Sequence, residues 1–326
     1  MMKRKKGALG VIVSIALLLA ATACGSSGGA RGEPATITVG VQPNTSFAVV
    51  PFGVEKGFFK QVGLDIEVKK ITTATTIPPA LLAGQLQFSN WSFPSFATLA
   101  GQGLPLKIVG AGDTTGGSLA NDYIQLVALE QSRFTSVADL KGKTIAVNSL
   151  ASLSEVQVKI ALTNAGVNPA DVKLIPIPFP DQLAALTSRR VDAIGSAEPF
   201  LTLTAAKEDI VRLAPLDAAV MPDMPLSLWM TSAKFLADHP DTVHAFQRAL
   251  IMSLEYARDH EAEFRAFIPG FSGVSTDIAE KMILPTWTTS IDEGKAQVLA
   301  EIMHQYGAVD TVPTMKDFII EFPPKG

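Results

Sequence analysis

From residue 36 onward, short β-branched and apolar runs alternate with segments whose apolar positions recur every three to four residues. That alternation is the pattern of an α/β fold. Strands are expected over 36–41, 64–71, 87–91 and 106–111, with helices over 49–57, 77–83 and 94–101 between them. Pro94 can open the last of these helices near its first position, where no N–H is needed. The rhythm breaks at 110–118, rich in Gly and Thr, and resumes with a strand over 123–129. A second series follows, with strands over 144–147, 172–176, 193–196 and 210–213 and helices over 152–166, 180–188 and 199–208. A second break, 215–225, contains Pro and Met. After 226–231 the character turns helical, and helices are expected over 233–238, 241–259, 276–284, 292–306 and 314–319. The two α/β halves repeat a similar order of elements, which suggests two related lobes around a cleft.

The first 35 residues follow another pattern. Lys3, Arg4, Lys5 and Lys6 precede an apolar stretch, 8–20, shorter than the ~20 residues that span a bilayer. It has the length of a signal-peptide core. Ala21-Thr22-Ala23 then leads to Cys24, the only cysteine, and to a Gly/Ser-rich segment. This resembles the lipobox of bacterial lipoproteins, with Ala21 where leucine is commonest. The resemblance implies a signal peptide over 1–23, an acylated Cys24 and a flexible lipidated tether over 24–35. The bland alternative is a buried free cysteine, but Cys24 followed by Gly25-Ser26-Ser27 has nothing to pack against. The mature chain is therefore expected outside the cytoplasm, held at the membrane by lipid and not spanning it.

Composition narrows the function classes. With 47% hydrophobic and 18% charged residues and a mean hydropathy of +0.27, the chain is not a disordered one. A formal charge of −4 argues against a nucleic-acid binder, which needs a basic stripe. One cysteine excludes an internal disulfide and a Cys-rich metal site. There is no Gly-x-Ser-x-Gly elbow and no Gly-x-x-x-x-Gly-Lys phosphate loop. All four histidines lie in the helical tail, and His239 and His244 stand five apart, where a helical zinc pair needs four. No catalytic residue, metal or cofactor is expected.

Several elements resemble, in order, those of periplasmic binding proteins for nitrate, aliphatic sulfonates and taurine. They are Gly57-Phe58-Phe59 with Gly63-Leu64, Ala80-Leu81 with Gly84, Leu104-Pro105-Leu106-Lys107 and Ala138-Asp139-Leu140-Lys141-Gly142-Lys143. Ala184-Ala185-Leu186, Val191-Asp192-Ala193, Glu198-Pro199-Phe200 and His239-Pro240-Asp241 continue the series. Gln87 departs from it, standing where that family often has aspartate. The resemblance implies a two-lobed periplasmic-binding-protein fold, each lobe a mixed sheet flanked by helices, with the ligand cleft between them. Lobe 1 would be discontinuous, 36–112 plus 222–326, and lobe 2 would be 113–221, with ligand closing the two like a hinge. It implies a monomer that captures a small sulfonate, nitrate or related organic anion. An ATP-binding-cassette permease with its ATPase would be the partner. A pyrimidine-synthase enzyme shares the architecture but carries a cysteine-rich iron-binding segment, which this chain lacks. A lipoprotein that presents ligand to a sensor is a further alternative.

In such sheets ligands sit beyond the carboxyl ends of strands, where free helix N–H groups favour an oxygen-rich group. The corresponding loops, 42–48, 90–93, 148–154 and 196–199, hold no Lys or Arg. A multiply charged phosphate is therefore not the expected ligand. The candidates are Asn44, Ser46 and Phe47 after the first strand, and Asn90, Trp91 and Ser92 after the third. Ser152, Leu153 and Ser154 form another helix start, and Ser152 with Glu155 has the spacing of a capping box. Glu198 is placed to accept from an amine or amino-pyrimidine, which makes such a ligand, or a zwitterion, the alternative. Trp91 is a candidate pocket wall with core packing as its ordinary fate, and Trp229, after the second crossing, is a further candidate for lining the cleft.

Overall fold

The computed structural model describes residues 36–321. The expected signal peptide, Cys24 and the tether lie outside the described residues. Strand β1 (Ile37–Val41), β2 (Ile66–Lys70), β3 (Phe88–Ser92) and β4 (Leu106–Ala111) open the chain. After the short β5 (Asp113–Thr114) come β6 (Ile124–Leu129), β7 (Thr144–Val147), β8 (Lys173–Pro176), β9 (Ala193–Ala197) and β10 (Ile210–Pro215). The tail contributes β11 (Ser227–Ser232) and β12 (Thr286–Trp287).

These strands form two five-stranded sheets, in the orders β2-β1-β3-β11-β4 and β10-β6-β9-β7-β8, and β5 pairs antiparallel with β12. Each is mixed. β1 runs parallel to β2 and β3 because a helical segment intervenes at each return, while β11 enters antiparallel between β3 and β4. In the second sheet β7 is parallel to β8 and β9, and β6 is antiparallel to β9 and β10. The expected α/β class with mixed sheets flanked by helices is the one observed.

The tail departs most from expectation. Segment 226–231, read only as a boundary, is a central strand of the first sheet. Helix Glu261–Ser272 was not expected, since Pro269 and Gly270 interrupt its pattern; the helix carries Pro269 inside it. The helix expected over 276–284 stops at Lys281, and only a single turn, Met315–Asp317, forms in 314–319.

The first sheet is sealed by helix Val49–Glu55 and the 20-residue helix Pro240–Asp259. Phe52, Phe59, Phe88, Phe246 and Phe264 are fully buried there, and Phe88 stacks on Phe246 with centroids 3.9 Å apart. Such a pair contributes roughly 0.5–1.5 kcal/mol beyond its buried area. Gln87 ties the edge of this layer. Its Oε1 accepts from Thr38 N at 2.8 Å and its Nε2 donates to Gly84 O at 2.9 Å. An aspartate or glutamate here has no donor for Gly84.

The chain passes from the first sheet to the second after β4 and returns before β11, at the two places where the sequence rhythm breaks. The two passages bond to each other. Leu226 N donates to Asp113 O at 2.9 Å, Thr115 N to Met224 O at 3.0 Å, and Met224 N to Thr115 Oγ1 at 3.1 Å.

Candidate functional site

Carboxyl ends of strands from both sheets meet at a cavity of about 430 Å³. The turn after β1 supplies residues 43–45, the connection after β9 supplies 197–200, and the tail supplies 272–275. Phe179 and Phe200 stand in its wall, their rings stacked 6.3 Å apart. Among the described residues, no Lys or Arg lines it.

The turn after β1 is fixed by Asn44, which caps the single turn Thr45–Phe47 by accepting the Ser46 N–H at 3.0 Å. The same Oδ1 accepts from Tyr123 Oη at 3.4 Å. Tyr123 enters β6, so this bond joins elements of the two sheets. Burial raises the Tyr123 phenol above its ordinary range, and the charges of Glu198 and Asp113 add to this. Tyr123 Oη also lies near Thr45, yet Thr45 Oγ1, buried in the cavity wall, makes no hydrogen bond of good geometry among the described residues. Ser196 Oγ, one residue before the cavity-lining Ala197, is buried and equally without a partner among them. Unspent buried hydroxyls are uncommon and cost about 1–3 kcal/mol each.

Glu198, directly after β9, is almost wholly buried and is joined to Pro199 by a cis peptide bond. Its Oε1 accepts from Thr202 Oγ1 at 2.9 Å and from Ile283 N at 3.1 Å, and its Oε2 from Thr202 N at 3.1 Å. Burial raises its pKa, opposed by these hydrogen bonds and by Arg212.

Of the residues singled out from the sequence, the structure brings Asn44 and Glu198 together in this wall. Ser46 sits just behind it, its Oγ donating to Asp113 Oδ2 at 3.1 Å. Phe47 and Trp229 are core. Phe47 packs in the cluster around Phe52, and Trp229 is fully buried beside Phe246, since its place on the central β11 turns it under helix Pro240–Asp259. Trp229 is thus no wall of the cavity. Asn90 is a structural tie, its Oδ1 accepting Gln42 N at 2.9 Å. Ser92 caps helix Phe93–Gly101 through Ser95 N at 3.3 Å. Trp91 packs in the second apolar cluster of the first sheet, with its buried Nε1 unpartnered among the described residues.

The capping box expected at Ser152 does not form. Ser152 Oγ donates to Ser149 O at 2.8 Å and meets Ser154 Oγ at 3.0 Å, while the Glu155 carboxylate accepts from Ala151 N at 2.7 Å. Ala151 takes a left-handed φ of 50°, which turns its N–H toward Glu155 and leaves the serines bonded among themselves. Leu153 joins the apolar cluster that holds Trp91.

Sequence reasoning missed Tyr123, Phe179, Asp113 and the 272–275 loop. Asp113 is fully buried, with Ser46 and Ser227 donating to its two oxygens, and burial pushes its carboxyl up to about 6. Its only sequence signal is a charged residue set in a Gly/Thr-rich break.

The NMT1/THI5 like family profile matches residues 44–264. A Haemophilus influenzae protein provisionally named for thiamine biosynthesis is 24% identical over 289 residues, covering 85% of this chain and 88% of that protein. The taurine-binding periplasmic protein of Escherichia coli is 24% identical over 222 residues, 68% of this chain and 66% of that protein's length. The crystal structure of the periplasmic aliphatic sulphonate binding protein SsuA from Escherichia coli superposes with a TM-score of 0.75 at 15% identity, covering 90% of this chain and 94% of that one. With two mixed sheets flanked by helices and a family profile over residues 44–264, the chain has the periplasmic-binding-protein fold and belongs to the NMT1/THI5-like family.

Proposed function

We propose that this chain is an extracytoplasmic solute-binding protein that captures a small sulfonate, nitrate or related organic anion for an ATP-binding-cassette importer. It is a binding protein and not an enzyme. The observation that carries the reading is the cavity between the carboxyl-end turns of the two sheets, where ligands of such folds sit. Its small-residue and aromatic wall without Lys or Arg suits a singly charged or neutral group held by hydroxyls and backbone. Taurine- and sulphonate-binding proteins among its relatives support the ligand class.

In this reading residues 36–112 with 222–326 form one lobe and 113–221 the other, and the paired passages near Asp113 and Met224 are the hinge. Cys24 carries the lipid that holds the protein at the outer face of the membrane, where a permease, powered by its ATPase, receives the ligand.

One observation favours a second reading. Glu198 lines the cavity, and a carboxylate there welcomes an amino group, as on an amino-pyrimidine or a zwitterion. Calorimetry on the soluble protein beginning after Cys24 separates the two. Taurine, an alkanesulfonate, nitrate and an amino-pyrimidine are titrated in turn. A ligand at 100 times its Kd stabilises the fold by about 2.7 kcal/mol, so thermal shifts report the same binding. Heat from the alkanesulfonate or nitrate supports the first reading, heat only from the amino-pyrimidine or from taurine, whose ammonium makes it a zwitterion, supports the second, and silence from all four defeats both.

A further inference from the structure

Asp217 opens the short helix Asp217–Val220 on the return passage, and Gln157 lies in helix Leu153–Asn164. Both side chains are fully buried. Gln157 Nε2 donates to Asp217 Oδ1. The remaining oxygen of each group, Asp217 Oδ2 and Gln157 Oε1, is buried and has no partner among the described residues. Two acceptors cannot satisfy one another. A proton on Oδ2 changes that, because it converts one of the two orphans into a donor for the other.

We propose that Asp217 is held as a neutral carboxylic acid that exchanges two hydrogen bonds with the Gln157 amide, Nε2–H to Oδ1 and Oδ2–H to Oε1. The proton makes the contact between helix Asp217–Val220 and helix Leu153–Asn164 sensitive to external pH.

The surroundings agree. Asp122, on the outgoing passage, faces Asp217 and accepts the N–H groups of Asp217 at 3.2 Å and Ala218 at 2.8 Å. Its oxygens are thereby committed to backbone, and its charge opposes a second one beside it. Burial is the main cause that raises the Asp217 carboxyl, with Asp122 next and Asp113 after it, while the Gln157 bond works the other way. The charged groups of the packed elements are engaged elsewhere. On helix Leu153–Asn164, Glu155 and Lys159 pair with each other at 2.7 Å. On β10, Arg212 donates to Gln125 Oε1 at 2.7 Å. A metal ion is the rival occupant, but no group of three His, Cys, Asp or Glu able to hold one exists among the described residues.

The sign follows from linkage. A raised carboxyl pKa gives a contact that is intact while the proton is bound and lost as pH climbs through the raised value. Ionisation sets Oδ2 against Oε1 in a dry interior and loosens helix Asp217–Val220 from helix Leu153–Asn164.

Asp217→Asn tests this, because asparagine makes the same two-bond ring with Gln157 and carries no titrating proton. Infrared difference spectra of the whole chain at neutral pH should show the C=O stretch of a protonated carboxyl that Asp217→Asn lacks. The wild-type melting temperature should fall relative to that of Asp217→Asn as pH rises from the ordinary carboxylate range through the raised value, the other carboxyls titrating alike in both proteins. A carboxyl band common to both proteins, or parallel stability profiles, overturns the proposal. If Asp217→Asn does not fold, aspartate-selective carbon-13 labelling of the wild type decides: an Asp carboxyl still protonated at neutral pH and above is expected, and full ionisation of all of them overturns it.

Discussion

The Glu198 carboxylate, at the end of β9, holds the backbone N–H of Ile283 in the tail at 3.1 Å. The acceptor belongs to a connection of the second sheet. The donor belongs to the tail, which also supplies 272–275 and Ile278 to the opposite cavity wall. One side chain therefore lines the cavity and pins its other side, whatever it does for a ligand.

Glu198→Gln replaces one carboxylate oxygen by a donor. Thr202 N–H, Thr202 Oγ1 and Ile283 N–H between them need both oxygens, so at least one buried partner then faces an N–H. The expected loss is about 1–3 kcal/mol in a denaturant titration. Protease cleavage should also rise in the tail around 272–283. Unchanged stability and unchanged cleavage would show that the bond to Ile283 holds nothing.

Asp113 gives the chain a pH signature. Its carboxyl is raised from 3.8 to about 6 by burial, so the folded state binds a proton more tightly than the unfolded one. Its contribution is fully present below the ordinary carboxylate range and is lost as pH rises toward about 6. A shift of that size corresponds to about 3 kcal/mol as an upper bound, at 1.36 kcal/mol per unit. The difference in melting temperature between wild type and Asp113→Asn should narrow or reverse across that window and be constant above it. Glu198, raised by the same cause, adds in the same direction, so the comparison is best repeated with Glu198→Gln. A difference that is level from acid to neutral pH would place the titration elsewhere.

Thr45→Val removes a buried hydroxyl that spends no good hydrogen bond on the protein and keeps its shape. Stability of the free protein should stay the same or rise by up to about 1 kcal/mol. Affinity for a ligand seated in the cavity should fall roughly tenfold, the worth of one hydrogen bond of about 1.4 kcal/mol. Calorimetry with whichever ligand binds the wild type measures both halves. Unaltered affinity means the ligand does not reach Thr45.

The alternation of short apolar and β-branched runs with helical stretches was enough to read every strand of the two five-stranded sheets except β11. β11 was not read as a strand, since its neighbours β3 and β4 lie more than a hundred residues away in sequence and a local pattern does not show who pairs with whom. Helix Glu261–Ser272 hid behind Pro269, whose cost there is met by packing of Phe264, Ile268 and Phe271 in the core. Asn44 and Glu198, both in the cavity wall, stood out in the sequence as polar residues directly after strands, but Asn90 and Ser92 share that signal and serve as a tie and a cap. Trp229 was misread because burial depends on which face of the sheet a helix covers. Tyr123 and Asp113 were missed because each gains its meaning from residues brought to it by the second sheet.

Gly53 tests the packing that holds the cavity's first sheet in place. It lies in helix Val49–Glu55 where that helix crosses helix Pro240–Asp259 at Ser253. A Cβ added to Gly53 would stand 1.8 Å from Ser253 Oγ and 2.7 Å from Ser253 Cβ, with Phe59 Cε2 at 3.3 Å. Alanine in an exposed helix would stabilise by up to about 1 kcal/mol. Here the clash decides the sign, and Gly53→Ala should cost about 1–3 kcal/mol because the two helices must part. Moving Ser253 Oγ alone does not suffice, since its Cβ is also too close. Ser253→Ala should therefore rescue Gly53→Ala only in part, and Ser253→Gly should rescue it well beyond additivity. Denaturant midpoints of the three single and two double variants supply the test. Strictly additive costs would mean the helices do not meet at this point.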